Sequence, residues 1–279
     1  MGRLDGKVAF VTGAARGQGR SHAIELAREG ADIIAVDIAH DLPELGLGYR
    51  LGSAAELAET AAEVEKLDRR VVTSEVDVRD GAALKSALDA GVAEFGRLDV
   101  VAANAGIAAN SVPAHEITDD AWEQMLGINL TGVWKTCKAA VPHLIEGGRG
   151  GSMILTSSMA GLRGYQGIGA YTAAKHGVVG LMRVLAAELA PHSIRVNSVH
   201  PTQVDTAMLM NDATYKIFRP DLENPTRDDF EVASASMHAL PVAWAEPVDI
   251  SRALVFLASE DARLITGVPL PIDAGLLVK

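Results

Sequence analysis

Two side chains that could move a proton stand four residues apart, Tyr171 and Lys175, in the run Gly-Ala-Tyr-Thr-Ala-Ala-Lys-His. In a helix that spacing puts both on one face. A phenol ordinarily gives up its proton near pH ~10, and a neighbouring cation favours the phenolate, so the pair predicts acid-base chemistry near neutrality. The spacing also arises by chance on solvated helices, so it needs support from elsewhere in the chain. A serine pair, Ser157-Ser158, lies just upstream and offers a hydroxyl donor.

A second constellation could hold a dinucleotide. Thr12-Gly13-Ala14-Ala15-Arg16-Gly17-Gln18-Gly19 follows an apolar run and opens an amphipathic one. Glycines there allow a tight turn and a close backbone approach to a pyrophosphate, and a helix N-terminus attracts the anion. Asp37 lies 24 residues after Gly13, with Ile38 beside it. A carboxylate at a second strand end can accept from ribose hydroxyls and repels a 2′-phosphate, which predicts NAD rather than NADP. Arg16 points the other way, because an arginine in the glycine loop could pair with that phosphate. Asp77-Val78 is a candidate for holding adenine; a solvated turn aspartate is the alternative.

These groups need a scaffold, and the chain writes one. Short β-rich runs at 8–11, 32–36, 70–76, 98–103, 152–156, 194–199 and 268–272 alternate with helical segments, which predicts one doubly wound α/β domain with a seven-stranded parallel sheet over 1–279. Ser53 and Glu56 have capping-box spacing before a helix with Leu57, Ala61, Val64 and Leu67 on one face. Two stretches break the rhythm. The segment 38–50 carries Pro43, Gly46 and Gly48 and is long for a strand-to-helix loop. The segment 205–244 mixes Tyr215, Ile217, Phe218, Phe230 and Met237 with prolines and charges. It follows a strand end where ligands bind in such folds, so it reads as a substrate lid, with a surface decoration or subunit contact as the rival.

The balance of 25 basic against 36 acidic residues, formal charge −11, disfavours nucleic acid and anionic lipid. A single cysteine, Cys137, rules out an intrachain disulfide and fits a reducing compartment as a small core residue. No signal-like N-terminus or 18-residue apolar run is visible, so the expectation is a cytoplasmic protein without a membrane span. The eight histidines, His22, His143, His192 and His200 among them, lack paired ligand spacing; no metal is expected, and each reads as a surface or helix histidine.

Taken together, Thr12 to Gly19, Asn104-Ala105-Gly106, Asn129, Ser157-Ser158, Tyr171-x-x-x-Lys175 and Pro201 resemble the short-chain dehydrogenase/reductase family over nearly the whole chain. The resemblance implies that Tyr171 is the general acid/base, that Ser158 rather than Ser157 hydrogen-bonds the substrate oxygen, and that Lys175 holds the nicotinamide ribose and lowers the tyrosine pKa. It implies that Asn129 holds a water in a proton relay and that Asn104, Ala105 and Gly106 shape the site beside the cofactor. Where the family usually has Pro-Gly, this chain has Pro201-Thr202, which puts the loop geometry in doubt, although the Val204 amide and Thr206 hydroxyl could still hold the nicotinamide carboxamide. The chemistry agrees on its own terms, since alcohol oxidation needs a base, a donor to the alkoxide and a hydride acceptor.

The insertion after Asp37, the Gly19-Arg20-Ser21-His22 helix start and the His200-Pro201-Thr202 turn are similar to the mycofactocin-associated, carveol dehydrogenase-like subgroup. That resemblance implies NAD held without exchange under the 38–50 insertion and electrons passed to an external redox carrier. Met208, Leu209, Met210, Phe218 and Met237 point to an apolar secondary alcohol of terpenoid type, unless they are ordinary core. A homotetramer is implied, packed through the helices around 122–140 and 170–189. The rival readings are an NADP-dependent ketoreductase of the same fold and a non-catalytic dinucleotide sensor, which would not need Ser158, Tyr171 and Lys175.

Overall fold

The computed structural model of the chain describes residues 2–108 and 111–279. Its centre is a sheet of seven parallel strands: β1 (Val8–Thr12), β2 (Asp32–Asp37), β3 (Val71–Glu75), β4 (Val100–Ala103), β5 (Gly151–Thr156), β6 (Ile194–Pro201) and β7 (Pro269–Ile272). Each strand expected from the sequence is present within two residues at either end. The spatial order is β3-β2-β1-β4-β5-β6-β7. β1 and β4 are buried at every position, as parallel strands covered on both faces must be.

Of the nine helices among the described residues, seven cover the sheet. α1 (Gly17–Arg28), α2 (Ala54–Glu65) and α9 (Pro247–Ala258) lie on one face, with α1 between the other two. α3 (Gly81–Phe95), α4 (Asp119–Leu126), α5 (Val133–Gly147) and α6 (Gly169–Leu189) lie on the opposite face. The expected capping box closes the start of α2, with the Glu56 amide donating to Ser53 Oγ and the Ser53 amide to the Glu56 carboxylate.

The helix expected around 122–140 is continuous in path but not in winding. A π-helical stretch, Gly127–Gly132, separates α4 from α5. The lid segment also gains structure that the sequence reading left undescribed. It contains α7 (Asp212–Phe218), capped by Asn211, and α8 (Arg227–Met237), capped reciprocally by Thr226 and Asp229. Phe230 is fully buried between Tyr215, Phe218 and Trp244, with ring centroids 5.4, 4.8 and 5.8 Å away. The lid therefore has an aromatic core of its own.

The strand order reverses direction between β1 and β4, and the loops leaving the C-terminal ends of those strands diverge there. Such a divergence opens a crevice for ligands. The candidate site lies in it.

Candidate active site

A cavity of about 450 Å³ runs from the end of β2, past the β1 loop, to the lid. Its walls include Gly13, Arg16, Gly17, Gln18, Gly19, Asp37, Ile38, Asp77 and Val78 at one end. Asn104, Ala105, Gly106, Ser158, Tyr171, Lys175, Pro201, Val204 and Thr206 line the rest. One expected residue is missing from this wall. Asn129 is fully buried one layer behind, where its side chain accepts from the Ile107 amide and donates to the Ile107 carbonyl, both at 2.8 Å. Its amide group braces the strand-end loop and does not reach the cavity.

The β1 loop is tight because its glycines let the chain touch itself. Gly13 has φ +70°, and a Cβ on Gly19 would stand 1.9 Å from the Gly13 carbonyl oxygen. Asn104 ties the loop to the end of β4, donating from Nδ2 to the Thr12 carbonyl at 3.1 Å. Gln18 Oε1, in the first turn of α1, is buried without a hydrogen-bond partner among the described residues. A glycine cradle at a helix N-terminus fits a dinucleotide pyrophosphate.

At the β2 end, the Asp37 carboxylate accepts from the Ala15 amide at 2.9 Å and the Ala39 amide at 3.0 Å. These two bonds fix the carboxylate in the wall at this end of the cavity. Arg16 is engaged elsewhere: its guanidinium donates to the carbonyls of Arg50 and Leu51 at 3.0 and 3.3 Å. The expected competition between Asp37 and Arg16 for a 2′-phosphate thus resolves against the phosphate. Asp77 lines the cavity as anticipated, but its carboxylate is held by Arg79, whose Nη2 lies 2.6 Å away.

At the opposite end Ser157 and Ser158 separate cleanly. Ser157 Oγ is buried and donates to the Lys175 carbonyl at 2.9 Å, a structural bond. Ser158 caps a short turn by accepting the Ala160 amide at 3.1 Å, which leaves its hydroxyl hydrogen for the cavity. Lys175 reaches back along the same wall, donating from Nζ to the Thr156 carbonyl at 2.9 Å, with Nζ 5.6 Å from the Tyr171 ring centroid.

Burial sets the electrostatics at this end of the cavity. Burial pushes the Tyr171 phenol above its ordinary value, and the hydrogen bond with Ser158 opposes that rise. Burial also pushes the Lys175 ammonium down to about 8. Burial is the largest influence on both groups.

The profile of the family described as short chain dehydrogenase matches residues 7–216. The chain belongs to the short-chain dehydrogenase family. It is 60% identical over all 279 residues to a (-)-trans-carveol dehydrogenase of Rhodococcus erythropolis, with both chains fully covered. The fold superposes on a carveol dehydrogenase of Mycobacterium avium in complex with NAD at a TM-score of 0.98, with 58% identity and full coverage of both chains. A short-chain dehydrogenase of Mycobacterium paratuberculosis bound to NAD gives a TM-score of 0.91 at 46% identity, again with full coverage of both.

Several residues of this dehydrogenase site were not legible in the sequence. Tyr49, in the 38–50 insertion, accepts the Ala108 amide at 2.9 Å and lines the cavity. His200, expected at a surface or on a helix, is fully buried in β6 and donates from Nδ1 to the Ser158 carbonyl at 2.7 Å, with Ser198 Oγ 2.8 Å from Nε2. His22 is likewise fully buried, its Nδ1 2.8 Å from Ser251 Oγ. Among the hydrophobic lid residues, Met208, Leu209, Phe218 and Met237 line the cavity. Met210 is not part of that wall, and Phe230 belongs to the lid core. The His-Pro-Thr turn was noticed, but a buried partner for its histidine is a tertiary fact.

Proposed function

We propose that this dehydrogenase interconverts an apolar secondary alcohol and its ketone by hydride transfer with NAD. The observation that carries the reading is one cavity wall bearing Ser158, Tyr171 and Lys175, continuous with the glycine cradle and the Asp37 carboxylate. NAD, when bound, supplies the hydride acceptor. The pyrophosphate would rest on Gly13 to Gly19, the adenosine ribose on Asp37 and the nicotinamide ribose on Lys175, which keeps two ammonium hydrogens beyond its bond to Thr156. Asn104, Ala105, Gly106, Pro201, Val204 and Thr206 would bound the nicotinamide.

The side chains then divide the proton work. The Ser158 hydroxyl, held in place by the Ala160 amide, keeps its hydrogen free to donate to the substrate oxygen. Tyr171 exchanges the proton with that oxygen. Its raised pKa keeps the phenol protonated at neutral pH, ready for ketone reduction, and alcohol oxidation needs the phenolate. Water exclusion comes from the lid, whose cavity-facing Met208, Leu209, Ile217, Phe218 and Met237 carry no charge. That lining and the 60% identity to a carveol dehydrogenase support a terpenoid-like alcohol.

The 38–50 insertion supports a further element of the reading, that NAD is held without exchange and re-oxidised by an external carrier of the mycofactocin type. Leu42, Tyr49, Arg50 and Leu51 fold over the adenosine half of the cavity. A homotetramer is part of the same proposal, since Trp122, Trp134 and Val184 on α4, α5 and α6 are 39%, 43% and 53% exposed and would be covered by a second copy. No helix among the described residues is long and apolar enough to cross a membrane, and the buried lone Cys137 suits the reducing cytoplasm. The test combines two measurements: nucleotide released by denaturing the purified protein, and reduction of an artificial dye by carveol without added NAD. Stoichiometric NAD with dye reduction is the expected result. Turnover only of charged hydroxy acids would reject the substrate class, and absence of bound nucleotide would reject retention.

A further inference from the structure

The site where this chain departs from its family, Thr202 in place of glycine, is bonded to the lid. Thr202 Oγ1 lies 2.7 Å from Nε2 of His238, the residue that ends α8. Gln203 Oε1 lies 3.0 Å from the same nitrogen and also contacts Thr202 Oγ1. On its other side, His238 Nδ1 lies 2.8 Å from the Val242 carbonyl, which can only accept, so Nδ1 carries its hydrogen there. Thr202 Oγ1, Gln203 Oε1 and His238 Nε2 thus form a closed triad in which the Thr202 hydroxyl is within bonding reach of both the amide oxygen and the imidazole nitrogen. His238 is 2% exposed, so no solvent substitutes for that hydroxyl.

We infer that Thr202 is a positioning residue that, through His238, fixes the C-terminal end of α8 and with it the Met237 wall of the substrate cavity. This rests on the alcohol dehydrogenase reading above. Met237 precedes His238, lines the cavity and has its sulfur 3.6 Å from Gln203 Nε2. The anchor is reinforced from the chain end, where Ala239 and Leu240 donate to the Ala274 carbonyl and Lys279 Nζ to the Ser236 and His238 carbonyls. A parallel bridge joins Val204 to Ala245 at the foot of the lid. The aromatic core carries this fixed point to α7, because Phe230 on α8 packs on Tyr215 and Phe218. Glycine at position 202 would offer no hydroxyl and would remove one corner of this buried triad, leaving Gln203 alone against the imidazole nitrogen.

The test compares Thr202→Val, which keeps the shape and removes the hydroxyl, with Thr202→Ser, which keeps the hydroxyl. Two readouts are used on the NAD-loaded protein: steady-state kinetics with a secondary alcohol, and amide hydrogen exchange across 230–242. Thr202→Val is expected to raise KM about tenfold with kcat within about threefold, and to speed exchange in 230–242, because the buried triad has lost its hydroxyl. Thr202→Ser is expected to restore both. Wild-type exchange in Thr202→Val, or a Ser variant that behaves like Val, would overturn the inference. A loss of kcat with KM unchanged would also overturn it, since that would place Thr202 in the chemical step. If the wild-type protein turned over no secondary alcohol, the functional reading would fall and the exchange comparison would still decide the anchor.

Discussion

The phenol oxygen of Tyr49 accepts the backbone N–H of Ala108 at 2.9 Å, joining the insertion after β2 to the loop after β4. β2 and β4 flank β1 in the sheet, so this bond spans the crevice directly above the glycine loop that follows β1. Burial pushes the Tyr49 phenol up to about 12, so it stays neutral and hydrogen-bonded through the physiological range. Leu45 and Leu47 pack against the core beside Tyr49 and hold the insertion in place. A groove that is open in a plain doubly wound fold is bridged in this protein.

The bridge should govern nucleotide release. Tyr49→Phe removes one hydrogen bond and leaves the Ala108 amide without its partner, a cost of about 1 kcal/mol. Nucleotide dissociation should be roughly fivefold faster than in the wild type, read as the fraction of NAD that survives repeated desalting. Equal retention in the two proteins would mean that the insertion does not hold the cofactor through this bond.

Removing the proton-transfer group should separate chemistry from binding. Tyr171→Phe is expected to lower kcat by about 10²-fold or more while the protein still carries NAD. Full turnover in this variant would remove Tyr171 from the proton-transfer role.

The two adjacent serines should behave oppositely. Ser158→Ala deletes the hydroxyl that faces the cavity and should lower kcat/KM by about 10²-fold with the melting temperature nearly unchanged. Ser157→Ala deletes a buried bond to the Lys175 carbonyl. It should cost about 1 kcal/mol of stability, roughly 2–4 °C in Tm, with a smaller effect on turnover. Circular-dichroism melts and steady-state kinetics on both variants give the comparison, and reversed effects would exchange the assignments.

Stability should fall in mild acid because two histidines are buried neutral. Burial lowers His200 to about 4 and His22 to about 3, from an ordinary 6.5. Below pH 6.5 the unfolded chain takes up protons that the folded chain refuses, so folding stability is full above that pH and is lost progressively toward pH 3–4. At about 1.4 kcal/mol per pH unit the ceiling is several kcal/mol, which should appear as a steep drop in Tm between pH 6.5 and 4. His200→Gln should flatten the curve, and an unchanged slope would mean that other groups carry it.

How much of this could be read along the chain follows from range. The seven strands, the capped α2, the glycine loop and the Tyr171, Ser158 and Lys175 set depend on patterns of period two or 3.6 and on fixed spacings within one turn or loop. Short-range stereochemistry enforces those patterns wherever the chain goes, so sequence alone determined the fold class and named the candidate proton-transfer set. The tertiary structure supplied the physical reason for preferring Ser158, since the Ser157 hydroxyl is tied to the Lys175 carbonyl. It also decided that Asn129 braces Ile107, that Arg16 is spent on the Arg50 and Leu51 carbonyls, and that His200 and His238 are buried partners. Each of these bonds joins residues brought together by the sheet or the lid, and no local period encodes a partner that lies across the fold. Burial acts in the same way on the opening pair of side chains: spacing put Tyr171 and Lys175 on one face, but desolvation in the assembled core set the direction of both pKa values.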